Sequence, residues 1–290
     1  MAGMLYIVAT PIGNLEDITL RALRILKEVD FILCEDKRIT VRLLNKYQIK
    51  TKLISFHKFN EQKSTDYIFS LLTSGKNIAL VSDAGTPLIS DPGTAIVSCA
   101  RENNVKVISV PGPSALISAL SVSPLRIDEF LFLGFLPSKK NKRLKVISSL
   151  STRSKNVILF VAPHDFKKYI KEICNIYPDV EIFYARELTK VHEEVWSGKI
   201  KDLVDIVGAC HSKPLKGEIV LGINLNNSVN NSDENGSLSN EEIIRIMKDY
   251  IDKGQSLKEA SKRFAKELNL SSKNLYDLYV RKQKLETRSF

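Results

Sequence analysis

Cysteine is scarce in this chain and widely scattered: Cys34, Cys99, Cys174 and Cys210 are the only four in 290 residues. No Cys or His pair has the short spacing of a zinc site, so no metal is expected and the thiols read as reduced and mostly buried. Long apolar runs are missing too. None approaches the roughly 18 residues of a membrane span, and the N-terminus has no basic stretch leading into an apolar segment and a small-residue cleavage site. A cytoplasmic protein without a membrane partner is the expectation. Neither GxGxxG nor a P-loop occurs, which argues against a dinucleotide or a nucleoside triphosphate. Acidic residues fall short of basic ones, 33 against 43, and the resulting formal charge of +10 draws the chain toward polyanions such as RNA or an anionic membrane, the plain reading being a soluble basic protein.

A 43% apolar composition is enough to build a sizeable core. Over residues 1–125, short apolar runs alternate with amphipathic stretches, the pattern of strands exchanging with helices around a largely parallel sheet. Strands are expected at Leu5–Ala9, Phe31–Cys34, Leu53–Phe56, Ile78–Ser82 and Val105–Val110, with a helix over Ile18–Glu28 and another ending near Leu72 before Gly75. Five such units make one doubly wound domain. A second α/β domain, 126–225, carries expected strands at Phe130–Phe135, Val157–Val161, Val180–Ala185 and Ile219–Ile223. Residues 226–240 follow, ten of fifteen being Asn or Ser, a composition suited to a flexible linker. Residues 241–290 show helical patterns beginning near Asn240, Ser256 and Ser271, and Glu259 stands three residues after Ser256, the spacing of a capping box. Leu257, Ala260, Phe264, Leu268, Leu275, Tyr276 and Leu278 are the expected core of this small all-α module.

In doubly wound sheets the ligand sits beyond the carboxyl ends of the strands. Three loops there are dense in Gly, Pro and small polar residues: 9–17, with Pro11 and Gly13; 82–93, with Asp83, Gly85 and Asp91; and 111–115, where Gly112 permits close backbone approach and Ser114 stands at a helix N-terminus. Ordinary turn chemistry explains any one of them alone. Between Lys139 and Lys145, five of seven residues are basic, Lys139, Lys140, Lys142, Arg143 and Lys145. A solvated charge run is the plain reading of this block; phosphate binding is the functional one.

Taken in order, these motifs resemble the ribosomal RNA small subunit methyltransferase I family, a branch of the tetrapyrrole methylases. The resemblance is carried by VATPIGNLEDIT at 8–19, CEDKRIT at 34–40, VSDAGTPLISDPG at 81–93, PGPSALISAL at 111–120, LGFLPSKKNKR at 133–143, APHD at 162–165, ARELTKVHEEVWSG at 185–198 and KGEIVLGI at 216–223. It implies a two-domain tetrapyrrole-methylase-like α/β fold with S-adenosylmethionine in the cleft between the domains. It further implies a homodimer and 2′-O-methylation of a cytidine in the decoding region of 16S rRNA within the small ribosomal subunit. The chain departs from the family pattern in having Lys37 within EDKR, and Val161 and Asp165 around APH.

On the family's pattern the cofactor is lined by Pro11, Asp83, Ala84, Gly85, Ile89, Ser114 and Ala115, with Ala162 and Leu188 from the second domain. Methyl transfer to a ribose hydroxyl needs in-line approach and a group to take or polarise the proton. Glu35, Arg38, His57, Glu187 and Lys190 are the candidates, each also explicable as an ordinary ion pair or hydrogen bond. Lys139, Lys140, Lys142 and Arg143 are the candidate RNA contacts. The same fold also serves methyl transfer to tetrapyrroles and other small substrates, and a non-catalytic RNA-binding or ribosome-assembly factor is the reading from a different class.

Overall fold

The computed structural model describes residues 2–125, 128–209 and 217–226, together with 244, 247–248, 250–251, 255–268, 272, 275–276 and 278–280 of the C-terminal region. The chain divides into two compact units, Met1–Ser228 and Val229–Phe290. The first contains two five-stranded sheets. In the first sheet, β1 (Met4–Val8), β2 (Phe31–Cys34), β3 (Lys52–Ser55), β4 (Ile78–Leu80) and β5 (Lys106–Val110) lie in the order β3-β2-β4-β1-β5 and are all parallel. Each matches an expected strand to within two residues.

Strand periodicity sends alternate side chains to opposite faces, and helices cover both. On one face Leu5, Leu33, Ile78 and Leu80 pack with Ile68 and Leu72 of α3 (Glu61–Thr73) and with Ile96 and Ala100 of α4 (Thr94–Glu102). On the other, Val8, Ile32 and Ala79 meet Ala22, Ile25 and Leu26 of α1 (Leu20–Glu28) and Leu43 and Leu44 of α2 (Lys37–Lys46). The first helix starts later than its apolar pattern suggests. Asn14 caps a short 3-10 turn at Leu15–Asp17, and the Thr19 side chain then accepts from the Ala22 amide to cap α1. Cys34 is buried, Cys99 and Cys174 are half-buried, and all three thiols are free.

The second sheet is mixed. After α5 (Ala115–Ser121) come β6 (Leu131–Phe135), α6 (Lys140–Ser148), β7 (Asn156–Val161), α7 (Pro163–Ile176), β8 (Glu181–Arg186), β9 (Glu194–Lys199), α8 (Ile200–Ala209) and β10 (Ile219–Asn224). Their order is β6-β7-β10-β8-β9, with only β6 and β7 parallel. The edge strand β9 was not expected from the sequence: its side chains alternate between half-buried and exposed, so no apolar run marks it. Val157, Leu159, Val161 and Leu221 face Phe166, Ile170 and Ile173 of α7 and Leu203 of α8. Ile158, Phe160 and Val220 face the other way, onto Leu116 and Ala119 of α5 and onto Ile12. Helix α5 and the loop after β1 therefore clamp the second sheet to the first by apolar burial.

In the second unit the capping box at Ser256 forms as its spacing predicts. Ser256 N–H donates to Glu259 Oε2 at 3.1 Å while Glu259 N–H donates to Ser256 Oγ at 3.3 Å, opening α9 (Leu257–Leu268). Met247, Ala265, Leu275 and Tyr279 form a small buried cluster, with Leu257 and Leu278 packed against it, and Ala260 is buried as well. Tyr276, expected in this core, is 43% exposed. The side chains of Phe264 and Leu268 lie outside the described residues, as do the expected helix starts at Asn240 and Ser271 and the linker beyond Asn226.

Within the basic block the structure corrects one expectation. Arg143 is only 2% exposed, because its side chain is turned from α6 toward Tyr169 and Glu172 of α7. Its guanidinium takes the Glu172 carboxylate in a forked pair at 2.6 and 2.8 Å, donates to the Pro137 and Ser138 carbonyls, and lies over the Tyr169 ring. A group so committed cannot reach a phosphate. Lys139, Lys140, Lys142 and Lys145 are exposed. Removing one partner of a buried pair strands the other charge, so Arg143→Ala is expected to cost about 3–5 kcal/mol in urea unfolding. Replacing Lys139, Lys140 and Lys142 together with Gln should cost under about 0.5 kcal/mol. Equal stability of the two variants would return Arg143 to the surface.

Candidate active site

The chain leaves β1 toward β2 and β3, then returns to place β4 on one side of β1 and β5 on the other. The three loops rich in Gly and Pro therefore emerge side by side. The first two are joined as a miniature ladder: Thr10 N–H donates to the Gly85 carbonyl and Gly85 N–H to the Thr10 carbonyl, both at 2.9 Å. Thr10 Oγ1 donates to the Ser82 carbonyl at 3.0 Å, and Thr86 Oγ1 ties the third loop through the Pro113 carbonyl at 3.1 Å. Gly85 holds a φ of +80°, a conformation that a side chain would strain. The loop after β8 closes from the second sheet, where Thr189 Oγ1 accepts from the Asn14 amide at 3.0 Å. Gly13 is required by that approach, since a Cβ there would stand 2.5 Å from the Lys190 side chain.

These loops and the ends of β6, β7 and β10 enclose a cavity of about 390 Å³. Of the nine expected cofactor residues, Asp83, Ala84, Gly85, Ile89, Ser114, Ala115 and Ala162 line it. Leu188 instead borders a small recess of about 20 Å³, which shares Ile12, Ala115, Glu218 and Val220 with the cavity, and Pro11 borders neither. Ser114 also caps α5, accepting from the Ile117 amide. Phe135, Phe160 and Val220 add an apolar wall that the motifs did not reveal, because strand residues of this kind are indistinguishable in sequence from core.

Among the expected catalytic residues, only Glu35 lines the cavity. Arg38 is 88% exposed at its side chain and is held by Asp36 at 2.6 Å, a contact that also keeps the Asp36 carboxyl down to about 2. Glu187 and Lys190 border the small recess and pair with each other at 2.7 Å. Glu187 sits at a φ of +52°, so the backbone there is held in a sparsely populated conformation. His57 is half-buried at the end of β3, with Nδ1 enclosed and without a hydrogen-bond partner, and it lies close enough to Glu35 for its charge to act on that carboxyl.

The charged lining is one-sided. Glu35, Asp83, Asp91 and Glu218 border the cavity, and no Lys or Arg does among the described residues. Burial, reinforced by the neighbouring carboxylates, raises Glu35 above its ordinary range. Burial raises Asp83 as well, against the pull of the Asp36 amide that its carboxylate accepts at 3.0 Å. Asp91 is pushed up to about 6, first by burial and next by the charge of Glu35. In the sequence, Asp91 is only one of the polar residues of loop 82–93. Its raised carboxyl depends on burial and on Glu35, Asp83 and Glu218, which the fold brings to it from the loops flanking β2, β4 and β10.

This architecture is that of the tetrapyrrole methylases. The chain matches the tetrapyrrole (corrin/porphyrin) methylase family over residues 4–204 and belongs to it. Two solved structures of uroporphyrin-III C-methyltransferase from Thermus thermophilus share the fold at TM-scores of 0.55 and 0.52, with 14% and 18% identity. They cover 76% and 79% of this chain and 97% of each of those chains. Within that class the chain belongs with the ribosomal RNA small subunit methyltransferases I. The Bacillus subtilis protein of that name is 39% identical over 97% of this chain and 95% of its own length. That of Thermotoga maritima is 48% identical over 70% and 90%, and that of Synechocystis 39% identical over 95% and 97%.

The raised Asp91 carboxyl has a consequence for stability. Its folded value, about 6, lies above the ordinary 3.8, so ionisation is penalised in the fold and this residue's contribution falls as pH rises from about 4 through 6. Asp91→Asn is therefore expected to melt above the wild-type protein at pH 8, with the gap closing as pH drops toward 4. Paired melting curves across that range check it; a variant that melts lower at pH 8, or a gap that does not change with pH, contradicts the placement of Asp91.

Proposed function

We propose that this chain transfers the methyl group of S-adenosylmethionine to the 2′-hydroxyl of a cytidine in the decoding region of 16S rRNA, acting as a cytoplasmic homodimer. The observation that carries the reading is a cofactor-sized, carboxylate-lined cavity whose rim leads directly into a basic helix start. Phe135 lines the cavity at the end of β6, and Lys139 and Lys140 open α6 four and five residues later. The names of the relatives supply the RNA. In this reading residues 1–125 and 126–225 are the two catalytic domains, 226–240 is a linker and 241–290 an accessory helical module.

The residues present fit the cofactor. The cavity's volume lies in the range of small-molecule sites. Ile12, Ile89, Phe135 and Phe160 offer apolar surface to a flat ring system, and the carboxylates offer negative charge to cationic ends. S-adenosylmethionine, when bound, supplies an electrophilic methyl on a sulfonium. Small side chains at Ala84, Gly85 and Ala115 leave room beside the three loops, and Ser114 offers its hydroxyl. Leu188 closes the recess next to Ala115, and Pro11 shapes the loop that carries Ile12. Asp91 is ionised near pH 7.5 yet more basic than an ordinary carboxylate, which suits one of its oxygens to accept the proton of the target hydroxyl. Glu35 raises that basicity by its charge, while Arg38, Glu187 and Lys190 shape the surrounding loops through their ion pairs.

Basic residues in the first turn of α6 oppose the helix macrodipole, an arrangement that disfavours the isolated helix and favours a bound anion. Phosphate contact by Lys139, Lys140 and Lys142 accounts for it. Offering labelled S-adenosylmethionine with small ribosomal subunits, and separately with a tetrapyrrole precursor, tests the function. Label is expected in a 2′-O-methylcytidine; label only in the precursor, or no cofactor binding by calorimetry, overturns the reading.

The lysine triad makes a second expectation. Replacing Lys139, Lys140 and Lys142 with Gln should weaken RNA binding and flatten its log–log salt dependence by up to about 0.7 per lost contact on single-stranded RNA. Titrations at several salt concentrations measure the slopes, and coincident slopes would reduce the block to a solvated surface.

A further inference from the structure

We propose that Phe59 is a stacking platform for a nucleobase of the RNA substrate, held beside the cavity by a latched loop. The proposal rests on the reading that the substrate is RNA. Phe59 is 93% exposed, whereas no other Phe, Tyr or Trp among the described residues exceeds 58%. Exposing a whole phenyl ring forgoes the burial that ordinarily stabilises it, and nothing in the core depends on Phe59. Its one ring neighbour is His57, whose edge lies 6.1 Å away between centroids at 64°.

The loop that presents the ring is fixed. His57 N–H donates to Asn60 Oδ1 at 2.7 Å, Asn60 Nδ2 donates to the Ser55 carbonyl at 3.0 Å, and the Asn60 and Glu61 amides both donate to the His57 carbonyl at 2.9 Å. Glu61 Oε1 then accepts from the Gly93 and Ala95 amides at 3.0 and 2.9 Å, which ties the loop to the segment just after Asp91. The backbone that carries the ring is thus tied to the segment that follows the cavity residue Asp91, and the ring stands next to His57. Lys58, exposed and adjacent, is placed to meet a phosphate.

A ribose hydroxyl within stacked RNA cannot enter an enclosed cavity, so the target nucleotide must leave its stack. A fixed aromatic face beside the opening replaces part of the stacking that is lost, and every base has a face to offer it. An exposed ring on a loop held by the His57–Asn60 turn and by Glu61 suits that task. The other occupant of such a surface, a second copy of this chain, is separated by the same variants.

The test uses the full-length protein and small ribosomal subunits or an RNA that the wild type methylates. Phe59→Ala is expected to raise KM for RNA by about ten- to a hundredfold. The value of kcat should stay within about threefold, because the contact is made in the ground and transition states alike. S-adenosylmethionine affinity by calorimetry should not change. Phe59→Trp should restore KM and Phe59→Leu should not, and 2-aminopurine beside the target position should be quenched by the wild type but not by Phe59→Ala. An unchanged KM in Phe59→Ala, or full rescue by Leu, overturns the platform. Conversion of a dimer to a monomer by Phe59→Ala in sedimentation reassigns the ring to an interface and overturns it too. Absence of transfer by the wild type removes the RNA reading and the platform with it, whereas transfer with normal KM in Phe59→Ala removes the platform alone.

Discussion

The two 2.9 Å backbone hydrogen bonds between Thr10 and Gly85 are the constraint on which the site depends. A parallel sheet ends in loops whose amides and carbonyls no longer have strand partners, and each must be satisfied nearby or left to water. Here the loops after β1 and β4 satisfy each other. That pairing brings Ile12 and Asp83 to one wall of the cavity, and Thr86 carries the pairing on to the loop before α5. The same loop after β1 then serves the apolar contact with the second sheet through Ile12. Fold and site are thus joined by one short segment.

Charge is distributed against the average. The chain carries +10 overall, yet the cavity is bordered by four carboxylates and, among the described residues, by no Lys or Arg. Solvated lysines outside raise the local concentration of a polyanion, while partly desolvated carboxylates within make a small cationic ligand welcome. The two demands would conflict if mixed in one surface. The structure keeps them apart: the carboxylates border the cavity, and the exposed lysines stand where α6 begins.

The basic block illustrates how position decides the meaning of a residue. Lys142 and Arg143 are adjacent in sequence, but the helical turn places one in solvent and the other over Tyr169 with its guanidinium filled by Glu172 and two carbonyls. Arg143 orders the start of α6 from within. The lysines stay in solvent, whereas the arginine does not.

By itself the sequence determined the class of fold, the strands of the first sheet to within two residues, the three loops that border the cavity, and seven of its lining residues. Those features are local: period-two apolar runs, Gly and Pro at tight turns, and a Ser-x-x-Glu cap each write their geometry into a few consecutive positions. The edge strand β9 had no such signature, since an edge that is half exposed needs no apolar alternation. Tertiary structure alone decided that Asp91 meets Glu35 from the end of β2 and Glu218 from just before β10, that Arg143 is interior, and that Phe59 stands in solvent on a loop tied to the segment after Asp91. Each of these depends on residues far apart in the chain, and the free energy of a buried charge or an exposed ring is set by the neighbours that folding brings to it.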